Sequence, residues 1–381
     1  MNKKLLKIII LAIIVSASLL FLFQNLSFND QNTREFRAEV LSVDDRDISG
    51  SGIEKYGRQI VKVEIKEGKF SGEVVDASNN LVGNIGWDYQ FSSGEEILVA
   101  LSENESGEID ASIALDVYRQ GWVLVLLALF IILLLLYARY IGLKALFSFI
   151  GSIYIIWKVL IPGLLNGLNP LLFTSFVLTI LSALILFSIA GFTKKGIASF
   201  FGTICSLFIT IILTMFFGSR MALDGMSAPY LGELLSAGYF HLDVRSIFYS
   251  AVVIGASGAA MDIAMDMATT IKELKEKKPD IDIKELIKSG FNVGNDVIGT
   301  MTTTLLLAYS GGYLTLLMAF TTRSASIRRV FNLRIIVSEI LRTLVGSIGL
   351  VLVAPITTIF AAWLYSREFE FWEKLKERFT L

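Results

Sequence analysis

The chain is poor in the residues that carry most catalytic and metal chemistry. Its 381 residues include one histidine, His241, and one cysteine, Cys205. A lone cysteine cannot form an intrachain bridge, which excludes a disulfide scaffold. In its apolar run Cys205 reads as a small core residue. One histidine argues against a His-rich metal site and against a Ser-His-Asp triad with its normal base. No G-x-x-x-x-G-K-[ST] loop occurs: Gly191 and Gly196 have the spacing, but Ile197 follows where lysine is needed. ATP-driven transport by this chain alone is therefore disfavoured. Charge is scarce too, at 18% of residues, against about 25% in ordinary soluble domains. With 54% hydrophobic residues and a mean hydropathy of +0.64, the composition excludes a disordered chain or a collagen and speaks against a soluble enzyme.

Long apolar runs take the place of charge. A bilayer core needs about 20 mostly apolar residues per helix. Eight stretches qualify: 5–23, 121–137, 144–164, 170–191, 197–218, 247–269, 297–320 and 335–365. The first follows Lys3, Lys4 and Lys7 but ends in Gln24-Asn25-Leu26 without a small-residue cleavage pattern, so it reads as an uncleaved signal anchor rather than a cleaved signal peptide. Lys and Arg resist translocation. With the N-terminus inside, cytoplasmic segments hold 17 of them and the short outer loops 6, which predicts N-in and C-in. Arg323, Arg328, Arg329 and Arg334 dissent by falling outside. A re-entrant hairpin at 297–320, broken near Gly311-Gly312, would move that loop to the cytoplasm; the reading adopted keeps eight spans.

Residues 30–118 differ. Stretches at 36–43, 60–65, 69–75, 96–101 and 109–117 are short, β-branched and partly alternating, as strands are. Five strands in so short a segment predict a small all-β insert, OB-like or a sandwich. The net charge of −1 conceals a segregation: residues 24–120 hold 19 acids and 9 bases, and the rest 16 acids and 25 bases. An acidic insert is unsuited to nucleic acid, whose phosphates need Lys and Arg. It reads as a solvated extracytoplasmic module, with the binding of a protein partner or cations as the alternative. It carries no clustered metal motif.

A charge at mid-bilayer costs at least about 2.5–3.5 kcal/mol and normally faces the bundle interior with a partner. The candidates are Lys158, Asp262, Asp266, Glu339 and Arg342. Asp262 and Asp266 share a helix face about 22–28 Å from the outer end of their span. Asp296, with Asn292 and Asn295, begins the next span on the same side. These groups predict an inner cluster able to share a proton or cation; the competing reading pairs Asp266 with Lys272 or Lys275 near the headgroups. Glu339 and Arg342, three residues apart, are placed to pair and, with Lys158, predict an outer cluster, or else a salt bridge that holds helices in register. Asp262 and Asp296 on facing helices would also suit an aspartyl hydrolase, the less favoured idea. Smooth faces at Gly255, Gly258, Ala259 and Ala260 and at Gly346, Ser347 and Gly349 predict close helix packing. Residues 271–290 carry six lysines, and Asp282 with Glu285 resembles a capping box. Ile283, Leu286 and Ile287 then predict a short helix lying on the inner leaflet.

Three stretches, GASGAAMDIA at 255–264, SGFNVGNDVIGTM at 289–301 and EILRTLVGSIGL at 339–350, resemble the YibE/YibF family of bacterial multi-pass membrane proteins. With the anchor, the insert and the span count, the resemblance covers most of the chain. It implies an integral protein of the bacterial cytoplasmic membrane, to which permease-like labels attach without an established substrate. Asp266 departs from the pattern, which more often has a small polar residue there. The expected organisation is a signal anchor at 1–27, an extracytoplasmic β domain at 28–118, a seven-helix membrane domain at 119–366 and a cytoplasmic tail at 367–381. The expected function is a secondary permease or channel for a small solute or ion, not an enzyme and without cofactor. Its partners would be the lipid bilayer, that solute and an extracytoplasmic protein, not nucleic acid. The alternative is a non-transporting scaffold or envelope-assembly factor acting through the β domain.

Overall fold

The computed structural model describes residues 33–50, 52–104, 107–322 and 326–366. The expected anchor at 1–27 and tail at 367–381 lie outside the described residues. The chain divides into two compact units, Met1–Tyr137 and Ala138–Leu381.

The first unit holds five strands: β1 Thr33–Ser49, β2 Tyr56–Ile65, β3 Val74–Val82, β4 Glu96–Glu103 and β5 Ile109–Val117. They close into a barrel in the order β1-β2-β3-β5-β4, so of the two expected β forms the structure takes the barrel. All neighbouring pairs are antiparallel except β3 with β5. Alternate residues point inward as the strand period requires: Val61, Val63 and Ile65 from β2 meet Ile97, Val99 and Leu101 from β4 in one core. Four strands fall where the alternation put them, and the third does not. Gly68, at φ +76, opens a tight 3₁₀ turn over Gly68–Phe70 that turns Phe70 into the core, edge-on to Phe36 at 5.8 Å. The strand follows at Val74–Val82 and runs through Asp76, Asn79 and Asn80, residues of low β propensity. Pairing with β2 along its whole length overrides that propensity.

Gln59 explains why an asparagine is tolerated there. It is fully buried. Its Oε1 accepts from Asn79 Nδ2 and from the Phe91 amide, each at 3.0 Å. Its Nε2 donates to Asp45 Oδ1 at 2.8 Å and to the Phe91 carbonyl at 2.9 Å. Asn79 also donates to the Tyr89 carbonyl at 2.8 Å. One amide pair thus fastens the β3–β4 connection across the barrel end. Buried donors left unpaired cost about 1–3 kcal/mol each. Gln59→Leu should therefore raise hydrogen exchange across residues 84–92 of the full chain about tenfold or more; unchanged protection would show that the connection is held by something else.

Apolar helices make up the rest. α1 covers Gln120–Ile155; a π turn at Ile156–Leu160 and α2, Ile161–Leu165, continue it. α3 is Pro170–Ala190, α4 Lys194–Arg220, α5 Leu231–Ser236, α6 Val244–Lys277, α7 Ile283–Gly312, α8 Leu314–Thr322, α9 Ile327–Val330 and α10 Arg334–Ser366. Side-chain caps start several of them: Asn169 accepts from Leu172 N, Thr193 from Gly196 N, Asp243 from Ser246 N and Asp282 from Lys284 N, each satisfying an amide that the helix leaves unpaired. At Asp243 the Ser246 hydroxyl also donates, and these bonds hold its carboxyl below the usual range.

Among the described residues five helices are long and apolar enough to cross a membrane, or six if α7 and α8 count as one bent span. Eight were expected. The first lies outside the described residues. The second and third fall in one 46-residue run, Gln120–Leu165, about 69 Å at 1.5 Å per residue and twice the core of a bilayer. Arg139, at φ 47 and ψ −116, interrupts the run between the two expected spans, in a region that L residues rarely occupy.

The second unit is built around α10. It runs antiparallel to α4, and the two approach closely where side chains are small. A Cβ on Gly202 would strike Thr357, and one on Gly349 would strike Thr210; Ser206 Oγ donates to the Gly349 carbonyl at 2.7 Å. The Gly346–Gly349 face is thus a packing face, as expected. The other expected face packs in part: Ala260 is buried and Ala259 joins the core around Ile263, whereas Gly255 and Gly258 are exposed and a Cβ on Gly258 would meet nothing within 4 Å. Cys205 is exposed rather than in the core.

The expected interfacial helix is instead the start of α7, which continues unbroken for 30 residues. Leu286 is buried, and Ile283 and Ile287 are half-buried, against Ala198, Ala268, Ile271, Ala361 and Leu364. Its apolar face meets protein, not lipid. After Gly312 the axis bends by 66° into α8, at the glycine pair where the sequence admitted a break. The pair is not a hairpin. Gly290 packs on Ile271 and Thr358 at one end of the bundle; after α8, Arg334 pairs with Asp224 at 3.1 Å at the opposite end, where α4 finishes. The loop carrying Arg328, Arg329 and Arg334 thus shares an end with residues 221–243, opposite Lys194, Lys195 and the 272–288 lysines.

Candidate functional site

At the bend, α7 and α8 meet α10. Glu339 and Arg342 sit one turn apart on α10 and pair, with Arg342 Nη1 3.4 Å from Glu339 Oε2 and side chains only 16% and 18% exposed. Arg342 Nη1 also donates to the hydroxyl of Tyr313 at 2.5 Å. Tyr313 is the residue at the break, capping α7 after Gly312. One turn earlier, Tyr309 directs its hydroxyl toward Gly255 on α6 and Gly346 on α10, 3.5 Å from where a Cβ on either would stand. The site is under-bonded: Glu339 Oε2 and Arg342 Nε are buried without a hydrogen-bond partner among the described residues. Native structures leave few such atoms.

The expected outer pair of Glu339 and Arg342 is thus present, but Lys158 does not join it. Lys158 is exposed in the π turn, with no ion pair among the described residues. The tyrosines that complete the cluster were not anticipated. The signal was their spacing, Tyr309 and Tyr313 at i, i+4 beside Gly311-Gly312, which puts two phenols on one face at the point of breakage.

The expected inner cluster does not assemble. Asp262 and Asp266 lie on one face of α6, as their spacing requires, but that face is exposed. Asn292, Asn295 and Asp296 are exposed on α7. None of these five side chains makes a hydrogen bond or ion pair among the described residues. Asp266 does not pair with Lys272, whose partner is Glu276 at 3.5 Å. The reason lies in how α7 packs. It turns Val297, Ile298, Met301 and Leu305 onto Ile263, Met267 and Val353, and this rotation directs Asn292, Asp296, Gly299 and Thr303 outward at i, i+4, i+7 and i+11. Ala251, Gly255, Gly258, Asp262 and Asp266 form the matching open stripe on α6. The Asp262–Asp296 dyad that a hydrolase would need is likewise not formed.

A further polar feature runs along α4. Ser199, Thr203, Ser206, Thr210 and Thr214 recur at helical spacing and are fully or almost fully buried. Thr210 and Thr214 bond back to the carbonyls four residues earlier, at 2.9 and 2.7 Å, whereas Thr203 Oγ1 and Thr357 Oγ1 have no partner among the described residues. Among the described residues no group of three His, Cys, Asp or Glu could hold a metal ion.

A closed five-stranded barrel followed by several apolar helices, one of them broken beside a half-buried ion pair, defines a class that fits a multi-pass membrane protein. The chain belongs to the YibE/F family: the YibE/F-like protein family matches residues 126–367, and the YibE/F family N-terminal domain matches residues 34–115. No curated protein and no solved structure matches it.

Removing one member of a shielded ion pair leaves the other charge uncompensated, whereas removing both does not. Glu339→Gln and Arg342→Gln should each lower the unfolding midpoint of the purified protein. The double variant should lose less than the sum, with a coupling of about 1–3 kcal/mol. Simple additivity would mean that the two side chains do not stabilise each other.

Proposed function

We propose that the protein is a secondary permease or channel for a small solute or ion in the bacterial cytoplasmic membrane, with its N- and C-termini inside. The observation that carries this reading is the joining of the Glu339–Arg342 pair to Tyr313 where the apolar helix breaks. Interrupted helices in transporters free backbone groups and bring charges to a substrate at mid-membrane. Here the break places two phenol hydroxyls beside an ion pair whose Glu339 Oε2 and Arg342 Nε make no hydrogen bond among the described residues. Such a set can exchange partners with a passing ion or polar solute, because each member has hydrogen-bonding capacity in reserve.

Asp262 and Asp266 supply the second element. Two carboxylates one turn apart on an apolar helix repel, and a proton or cation between them relieves the repulsion. We assign them the coupling ion on the inner side, with Asp262 the main ligand. The end of the bundle that carries Lys194, Lys195 and the 272–288 lysines is then cytoplasmic, and the end at Arg334 and Asp224 is external, as the balance of basic residues favours.

The test is flux into liposomes of defined orientation. Proton, sodium and divalent-cation entry are each read by an internal dye, for the wild type, Glu339→Gln and Asp262→Asn. The wild type should exceed empty liposomes for at least one ion, and each variant should fall at least about tenfold while remaining folded. Absence of flux for all ions from correctly reconstituted protein, or equal flux in all three forms, would overturn the proposal.

A further inference from the structure

The barrel has one end that differs from the rest of its surface. β3 and β5 pair in parallel at Ser78 and Ile113, so the ends of both strands, Val82 and Val117, lie level, four residues further on. Tyr56, at the start of β2, pairs with Val82, so the turn from β1 to β2 and the connection after β3 share that end. Exposed apolar side chains gather there. Ile53 in the turn is 78% exposed, Val82 66%, Trp87 65%, Ile85 59% and Tyr56 47%. Gly83, at φ +78, admits the Tyr56 ring where any Cβ would collide with it.

The acids at this end are mostly engaged within the protein. Asp88 accepts from the amides of Val82 and Asn84 at 2.8 and 2.9 Å. Asp45 holds Gln59 and Gln90. Asp44 pairs with Arg46, whose guanidinium brings its carboxyl down to about 2. The end presents these apolar tips together with the exposed carboxylates of Asp47 and Glu54, which sit beside Ile53 and Tyr56.

The last strand leads directly into the first apolar helix. Only Tyr118 and Arg119 separate Val117 from α1, which begins at Gln120. Trp122 in its first turn is 80% exposed. A cleft of about 530 Å³ between barrel and helix is lined by Val117, Trp122, Val123 and Leu126 together with Glu95 and Arg119. A helix of this kind ends at the headgroups, and a two-residue tether leaves the barrel end no room to stand away from them. Trp and Tyr favour that interface because one side of the ring is apolar and the other wet.

We infer that the rim formed by Ile53, Tyr56, Val82, Ile85 and Trp87 is immersed in the outer leaflet of the bilayer and seats the barrel on the membrane. The occupant of the rim is lipid. The inference rests on the proposed placement of α1 in the membrane with the barrel outside, and does not depend on transport.

The test uses the full chain in liposomes, in a Cys205→Ser background, with a nitroxide at Ile53→Cys, Ile85→Cys or, as a control on the opposite barrel end, Glu73→Cys. Collision with oxygen, which concentrates in lipid, is compared with collision with a water-soluble nickel chelate. The oxygen-to-nickel ratio should be several-fold higher at 53 and 85 than at 73. All three are surface positions, so substitution leaves the fold intact. Equal ratios at the three positions would place the rim in water, overturn the inference and leave this surface for a protein partner.

Discussion

The second unit depends on how closely α10 can approach its neighbours. Two helices in an apolar medium gain nothing from excluding water and must earn their association from contact and polar bonds between backbones. Gly202 and Gly349 bring α4 and α10 within reach of each other's threonines, and Ser206 closes the contact by donating to a backbone carbonyl. At the other end Gly290 lets α7 settle on Ile271 and Thr358. Once α10 is fixed on these faces, its remaining face is fixed too, and that face carries Glu339 and Arg342 to the point where α7 breaks.

The break follows from the same economy. α7 is anchored at its start by Leu286 and along its length by Val297, Ile298, Met301 and Leu305. Beyond Leu305 its residues are mostly exposed, and a glycine pair ends the helix. The interaction that fastens the far end is polar: Arg342 to Tyr313. A segment held by apolar packing at one end and by a charge-assisted bond at the other has a natural hinge between them, because the two attachments respond to different changes. Replacing a side-chain partner of Arg342 by a solute alters one and leaves the other.

Periodicity made the architecture legible. Apolar runs located the helices, alternation located four of five strands, and spacing placed Glu339 beside Arg342 and Asp262 beside Asp266 on shared faces. What periodicity cannot give is the direction in which a shared face points. That is decided by which neighbour offers the complementary surface, and for α7 the answer was Ile263, Met267 and Val353 rather than a polar interior. For the same reason the apolar face of Ile283, Leu286 and Ile287 could be read from sequence while its partner, protein rather than lipid, could not. The third strand was misplaced because a glycine with positive φ turned Phe70 inward and because Gln59 supplied the bonds that make Asn79 acceptable in a barrel wall. The serine and threonine stripe of α4 was visible at i, i+4, i+7, i+11 and i+15 and passed over, since hydroxyls that bond their own helix leave its hydropathy almost unchanged.

The segregation of charge gains a physical meaning from the barrel's geometry. An excess of acids on a soluble insert does more than maintain solubility when the insert is tethered to a membrane by two residues. On the inferred seating, any anionic headgroups beneath the barrel repel carboxylates within about a Debye length, 8–10 Å at physiological salt. The walls of the barrel, with Glu35, Glu73, Asp76 and Asp110 exposed, are then held off the surface. The end that carries Ile53, Tyr56, Val82, Ile85 and Trp87 has Asp45 and Asp88 bonded inward and meets a smaller barrier. On the inferred seating, tether, repulsion and apolar rim favour the same orientation, and the barrel's acidity leaves its walls as the faces turned away from the bilayer.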